Sequence, residues 1–190
     1  RAMYNIAMET GDFPTAVKFA NRLIKDHPSI THTSLKAEAL IFTKKFGEAL
    51  KLTRKIMKSK KHPVCADCGR KEDEFGAPLA VKMVHNMIGI VMGTRDKEHY
   101  KMLESLCNRF IQKFRSHPDK TILIACYEGL NWLNAINGKE KEFQKLLLTT
   151  KKLSVQELKD LTGEGMVVRA LETANTMYNF ACGFAVAGNK

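Results

Sequence analysis

The chain of 190 residues has one Trp, five Pro, 12 Gly and five Cys, and each scarcity excludes something. Low Pro and Gly rule out collagen-like and low-complexity classes. The longest apolar runs, such as Met87-Ile88-Gly89-Ile90-Val91-Met92, fall far short of the roughly 20 residues that span a bilayer, so no membrane partner is expected. Five scattered cysteines, an odd number, do not read as a disulfide framework; they point to a reduced, cytoplasmic protein. No signal-peptide pattern is visible, and the first residue is Arg1 rather than Met. There is no phosphate-binding glycine loop, no Gly-x-Ser-x-Gly elbow and no dinucleotide fingerprint. Gly163 and Gly165 come nearest, with no strand before them. The six His form no His-x-x-x-His pair. These gaps point to a chain that is not an enzyme and carries no cofactor of its own.

What is present is positive charge and helical pattern. The formal net charge is +11, and hydrophobic residues make up 44% of the chain, enough for a core. The cations are densest at Lys51, Arg54, Lys55, Lys58, Lys60 and Lys61. Such a patch favours acidic partners, including RNA and ribosome surfaces. No aromatics interleave with it, so stacking on bases is not expected. A Cys-x-x-Cys pair at Cys65 and Cys68, with His62 nearby, is half of a zinc site. Zinc needs four ligands, and the fourth would have to be distant, so no metal is assigned. A thioredoxin-like role needs a βαβ setting that the pattern lacks.

Apolar residues recur with helical spacing and nowhere with strand alternation. Helices are predicted over 1–10, 13–26, 34–43, 48–58, 79–92, 97–114, 120–136 and 139–152. Pro14 falls in a first turn, where its missing N–H costs little. Asp96 is a candidate N-cap. Ser154-Val155-Gln156-Glu157 reads as a capping box that starts a new helix, and a last helix is expected over 166–187. Cys107, Cys126 and Cys182 lie within apolar patterns as small core residues.

The helices pair into hairpins at about 1–28, 31–60, 79–118 and 119–152, with C-terminal helices over 154–187 and a loop inserted at 62–78. The turn Gly11-Asp12-Phe13 leads to Ala16 and Ala20, then to Pro28. Lys44-Lys45-Phe46 replaces that turn, and Ala49 follows 33 positions after Ala16. Small residues at these places let the second helix of a hairpin approach the first. Phe143 stands where Gly138 would lead one to expect the small residue, and the pattern is irregular after residue 60.

Residues 11–28 and 35–56 resemble the tetratricopeptide-repeat family in length and key positions. The resemblance implies an all-α, right-handed solenoid of antiparallel helical hairpins whose first helices line a concave groove. Carried over, that geometry nominates Asn5, Met8 and Glu9 in the first repeat and Thr31, Ser34, Glu38, Ile41 and Phe42 in the second as groove residues. Arg1 and Asn5 have the spacing of the carboxylate clamp of chaperone-binding members, but Glu38 stands where that clamp needs Asn and would repel a carboxylate. A narrower resemblance runs through Tyr4, Gly11, Ala16-Val17-Lys18, the stretch 20–28, then 35–40 and Glu48-Ala49-Leu50, and more loosely through 117–119 and 138–145. These residues look like the opening of the auxiliary subunits of the NatB N-terminal acetyltransferase. That implies a non-catalytic scaffold wrapped around a separate catalytic subunit that uses acetyl-CoA, with a basic surface suited to ribosomal RNA. The alternative is a basic helical-repeat protein that binds ribosome or RNA directly.

Overall fold

Short capped turns set the helix order. A computed structural model describes residues 1–58, 77–117 and 120–159, with backbone alone at 77 and 155–159. The described secondary structure is all helical: α1 (Ala2–Glu9), α2 (Phe13–Asp26), α3 (Ile30–Phe42), α4 (Phe46–Lys58), α5 (Ala77–Thr94), α6 (Lys97–Phe114), α7 (Thr121–Ile136) and α8 (Glu140–Lys159). Most of the 62–78 insertion and the helix expected over 166–187 lie outside the described residues. So do Lys60, Lys61, His62, Cys65, Cys68 and Cys182.

Side-chain caps explain the boundaries. The Asp12 carboxylate accepts the Thr15 N–H at 3.2 Å and opens α2, with Pro14 in the first turn. The Asp12 carboxyl is held below its usual range by its hydrogen bonds from Thr15. Asp96 caps α6 in the same way, accepting the Glu98 N–H at 2.8 Å. Helix α3 starts four residues earlier than its apolar pattern, because the Ser29 hydroxyl accepts the His32 N–H at 3.0 Å. The buried His32 ring then holds the His27 carbonyl at 2.7 Å, which anchors the His27-Pro28 corner. Helix α8 corrects the sequence reading. It runs unbroken through Ser154, whose side chain is buried rather than capping a new helix.

The chain divides into two compact units, Arg1–His99 and Tyr100 onward. In the first, α1 packs on α2, α2 on α3, α3 on α4, and both α3 and α4 on α5. Ala16, Ala20, Ala37, Ala39 and Ala49 have no exposed surface. A residue without side-chain bulk lets two helix backbones approach the lower end of the usual 8–10 Å spacing. In the second unit α7 packs on α8. Its core draws Leu103, Leu106, Cys107 and Phe110 from α6, Ile122, Cys126 and Leu133 from α7, and Phe143 from α8. The Asn131 amide spans the backbone of α8, donating to the Phe143 carbonyl and accepting from the Leu147 N–H, each at 3.2 Å. The Cys126 thiol and burial push the Cys107 thiol well above its usual range, so it stays protonated and unreactive.

The hairpins share one turn. Among the described residues, positive φ occurs at Gly11 (76°), Lys44 (59°), Arg95 (52°) and Gly138 (67°). These residues join α1 to α2, α3 to α4, α5 to α6 and α7 to α8. At Lys44 the paired bonds of a Schellman motif are present: Lys44 N–H to Ile41 O and Lys45 N–H to Leu40 O, each 2.9 Å. Gly138 repeats them, with Gly138 N–H on Ala135 O and Lys139 N–H on Asn134 O. At Arg95 a single bond to Val91 O closes the turn at 2.8 Å. The Lys44 and Arg95 side chains bear a backbone cost of about 1 kcal/mol that glycine avoids.

Counted from these turns, Phe42 and Gly93 hold equivalent places at the ends of α3 and α5. Phe13 stacks on Phe42 with ring centroids 4.7 Å apart. Phe46, which corresponds to Phe13, lies where a Cβ on Gly93 would stand. A Cβ on Gly89, one turn earlier, would come within 2.8 Å of Ile41.

Two outcomes are expected in denaturant titrations. Lys44→Gly raises stability by about 1 kcal/mol and Gly11→Ala lowers it by about as much. Unchanged midpoints for both would remove the shared-turn account. Gly93→Ala forces the Phe46 ring aside and costs about 1–3 kcal/mol, and a neutral result would mean that the ring has room to move.

Candidate interaction surfaces

Polar side chains tie the first helices of successive hairpins together. The Tyr4 hydroxyl on α1 lies 2.8 Å from a Glu38 carboxylate oxygen and 2.9 Å from the Leu35 carbonyl, both on α3. The same carboxylate oxygen receives Lys82 Nζ from α5 at 2.7 Å. Tyr4 is buried, and burial first, then the Glu38 charge, pushes its hydroxyl above the usual phenol range. It therefore stays protonated and able to donate. A second tie lies deeper, where the Asn86 amide on α5 donates to Ser34 O at 3.2 Å and to Ser34 Oγ at 3.4 Å.

These ties decide what the nominated groove residues can do. Asn5 and Glu9 are exposed one turn apart on α1 and are open to a ligand. Met8 is half-buried against the core formed by Tyr4, Ala7, Ala16, Ala20, Leu35 and Ala39. Thr31 is half-buried. Ser34 is fully buried with Asn86, so it supports the surface from beneath. Glu38 is half-buried and engaged by Tyr4 and Lys82. Ile41 is half-buried at the close approach to Gly89. Phe42 is 52% exposed while stacked on Phe13, a large apolar surface already held in one orientation.

Sequence reasoning missed Tyr4, Lys82 and Asn86 as members of this face. Their partners lie 34, 44 and 52 positions away. A repeat register would pair Tyr4 with Glu38, and only one that bridges the 62–78 insertion would bring in Lys82 and Asn86.

The basic patch lies elsewhere. Lys51, Arg54, Lys55 and Lys58 are all exposed on α4. At helical spacing they fall within an arc of about 100°. Thr53 and Ile56 form the buried face of the same helix.

Among the described residues no group of three or more His, Cys, Asp or Glu is placed to hold a metal ion, and no helix is long and apolar enough to cross a membrane. Compared with known proteins, the chain matches no family model, no curated protein and no solved structure.

The ties differ in strength. Tyr4→Phe removes a buried donor and is expected to cost about 1–1.5 kcal/mol. Lys82→Met breaks an ion pair whose side chains are 32% and 26% exposed, and should cost less than about 1 kcal/mol. The two are expected to be non-additive because both act through Glu38. Additive losses in a double-mutant cycle would show that the carboxylate does not couple them.

Proposed function

We propose that the chain is a non-catalytic, cytoplasmic scaffold: a right-handed array of tetratricopeptide-like hairpins that binds protein through its first helices. The observation that carries this reading is the recurrence of one hairpin geometry. Ala16 and Ala49, 33 positions apart, are both fully buried, and Gly11 and Lys44, equally spaced, both turn the chain through a left-handed residue. Order along the helices also supports it. Ser34 meets Asn86, and further along both helices Ile41 meets Gly89, as expected for α3 and α5 side by side in one direction. A face carrying exposed Asn5, Glu9 and Phe42 over a locked polar layer suits an extended protein segment.

More specifically, we propose an auxiliary subunit of a ribosome-associated N-terminal acetyltransferase, on the residues at 4–50 that resemble the opening of that family. Affinity purification of the native protein should recover a catalytic subunit and peptide N-terminal acetylation dependent on acetyl-CoA. Recovery of partners without any acetyltransferase would sink the specific reading and leave the scaffold. Separately, Phe42→Ala and Glu9→Lys should each weaken partner capture at least several-fold while the fold persists. Full capture by both would place the binding face elsewhere.

A further inference from the structure

The α4 cations have counterparts on α2. Lys18, Arg22 and Lys25 precede Lys51, Lys55 and Lys58 by 33 positions each, the offset that separates Ala16 from Ala49 and Gly11 from Lys44. All six are exposed. On each helix the three recur at about one-turn intervals over roughly 10 Å of axis, opposite the buried Ala16 and Ala20 of α2 and the buried Ala49 and Thr53 of α4. The repeat therefore sets down a row of cations on the outer face of each second helix. No acidic residue interrupts 13–25 or 49–58. Asp26, at the end of α2, pairs with Arg22 at 3.5 Å, with both side chains largely exposed (78% and 49%). Such a pair holds its partner weakly and yields to a denser counter-charge.

The chemistry of these rows selects the partner. Protein interfaces are anchored by aromatic and apolar side chains, and their cores are poor in lysine. Among the described residues the exposed large hydrophobics are Met3, Ile6, Phe42, Met92 and Leu148, none of them on α2 or α4. A surface of lysine and arginine without an anchor gains affinity only from a dense array of negative charge, as on a phosphate backbone. Without aromatics in the rows, unpaired bases have nothing to stack on, which disfavours single strands. A surface that offers phosphate contacts and no base-stacking groups suits duplex RNA, which is recognised mostly through its backbone and shape because its deep major groove is closed to side chains.

We infer that the outer faces of α2 and α4 form a docking surface for the phosphate backbone of duplex RNA. This surface is separate from the first-helix face, so it stands whether or not the acetyltransferase reading does.

The test is fluorescence anisotropy of the full chain with a labelled RNA duplex of about 16 base pairs over a series of salt concentrations. Matched DNA duplex and a poly-glutamate peptide serve as competitors. The variants are Lys18→Glu/Arg22→Glu/Lys25→Glu and Lys51→Glu/Lys55→Glu/Lys58→Glu, each with a glutamine version in case charge reversal disturbs the fold. The expected result is at least tenfold weaker RNA binding for each triple, with the slope of log affinity against log salt falling by roughly 0.9 per lost phosphate contact. DNA and poly-glutamate should compete less well than unlabelled RNA. Unchanged affinity and slope in either triple would overturn the two-row surface. Equal competition by poly-glutamate would assign it to acidic protein, and equal or better competition by DNA would overturn the choice of A-form RNA.

Discussion

The close approach of paired helices at side chains too small to separate them is the constraint on which the rest depends. Ala16 and Ala20 on α2 and Ala49 on α4 are fully buried against their neighbours. That approach is possible only if the chain reverses within about three residues, and the left-handed residue at each turn provides the reversal. The turn also satisfies carbonyls at the end of the first helix, which would otherwise be left without partners. A larger side chain at Ala16, which packs with Tyr4, Ala7 and Leu35, would open the hairpin, and α1 would then no longer lie where Tyr4 can reach Glu38.

Those polar contacts have a consequence for binding. Groups on the first helices that would otherwise face a ligand are partly consumed in holding α1, α3 and α5 together. Glu38 is neutralised locally by Lys82 and hydrogen-bonded by Tyr4. Its carboxylate then presents less negative charge than the sequence implies, and the repulsion expected for an acidic ligand is smaller. The exposed groups that remain, Asn5, Glu9 and the stacked ring of Phe42, are better placed for a segment with mixed polar and apolar character than for a bare carboxylate. The cations repeated on α2 and α4 are grouped on faces that the core does not use.

How much of this was legible in the sequence varies with the range of the interactions. Helices 13–26 and 97–114 were readable to the residue, because Asp12 and Asp96 are local caps whose effect is decided within three positions. The start of α3 was not, since the apolar pattern begins after the capped turn at Ser29. Ser154 was misread because a capping box is defined by spacing alone, while burial decides whether the hydroxyl meets a backbone N–H. Cys107 and Cys126 were correctly read as core residues from apolar periodicity. At the candidate surface, Glu38 was found by repeat geometry, but of the residues that fix its state Tyr4 lies one repeat back and Lys82 lies across the insertion. The basic row of α4 was visible as composition. Its echo on α2 emerges only when the buried face of each helix is known, because that face establishes which cations share a side.

The parts that recur differ in kind from the parts that vary. Equivalent positions carry Ala20 and Thr53, Phe42 and Gly93, or Ala16 and Phe143, so side-chain identity is poorly kept from hairpin to hairpin. Backbone geometry is kept: the turn residue has φ between 52° and 76° in all four cases, whether it is Gly, Lys or Arg. A ring on a ring at Phe13–Phe42 and a ring on a glycine at Phe46–Gly93 fill the same interval with different volumes. The turn thus acts as the rigid element, and packing adapts around it. This is why Lys44 accepts a strained conformation. Relaxing it would release a local cost of about 1 kcal/mol but would disturb the packing of α3 on α4, two helices that bury Leu40, Leu50 and Ile56. Burial of side chains of that size is worth about 1.5–3 kcal/mol each, so the packing holds the turn in place, and the turn in turn positions both the first-helix face and the basic rows.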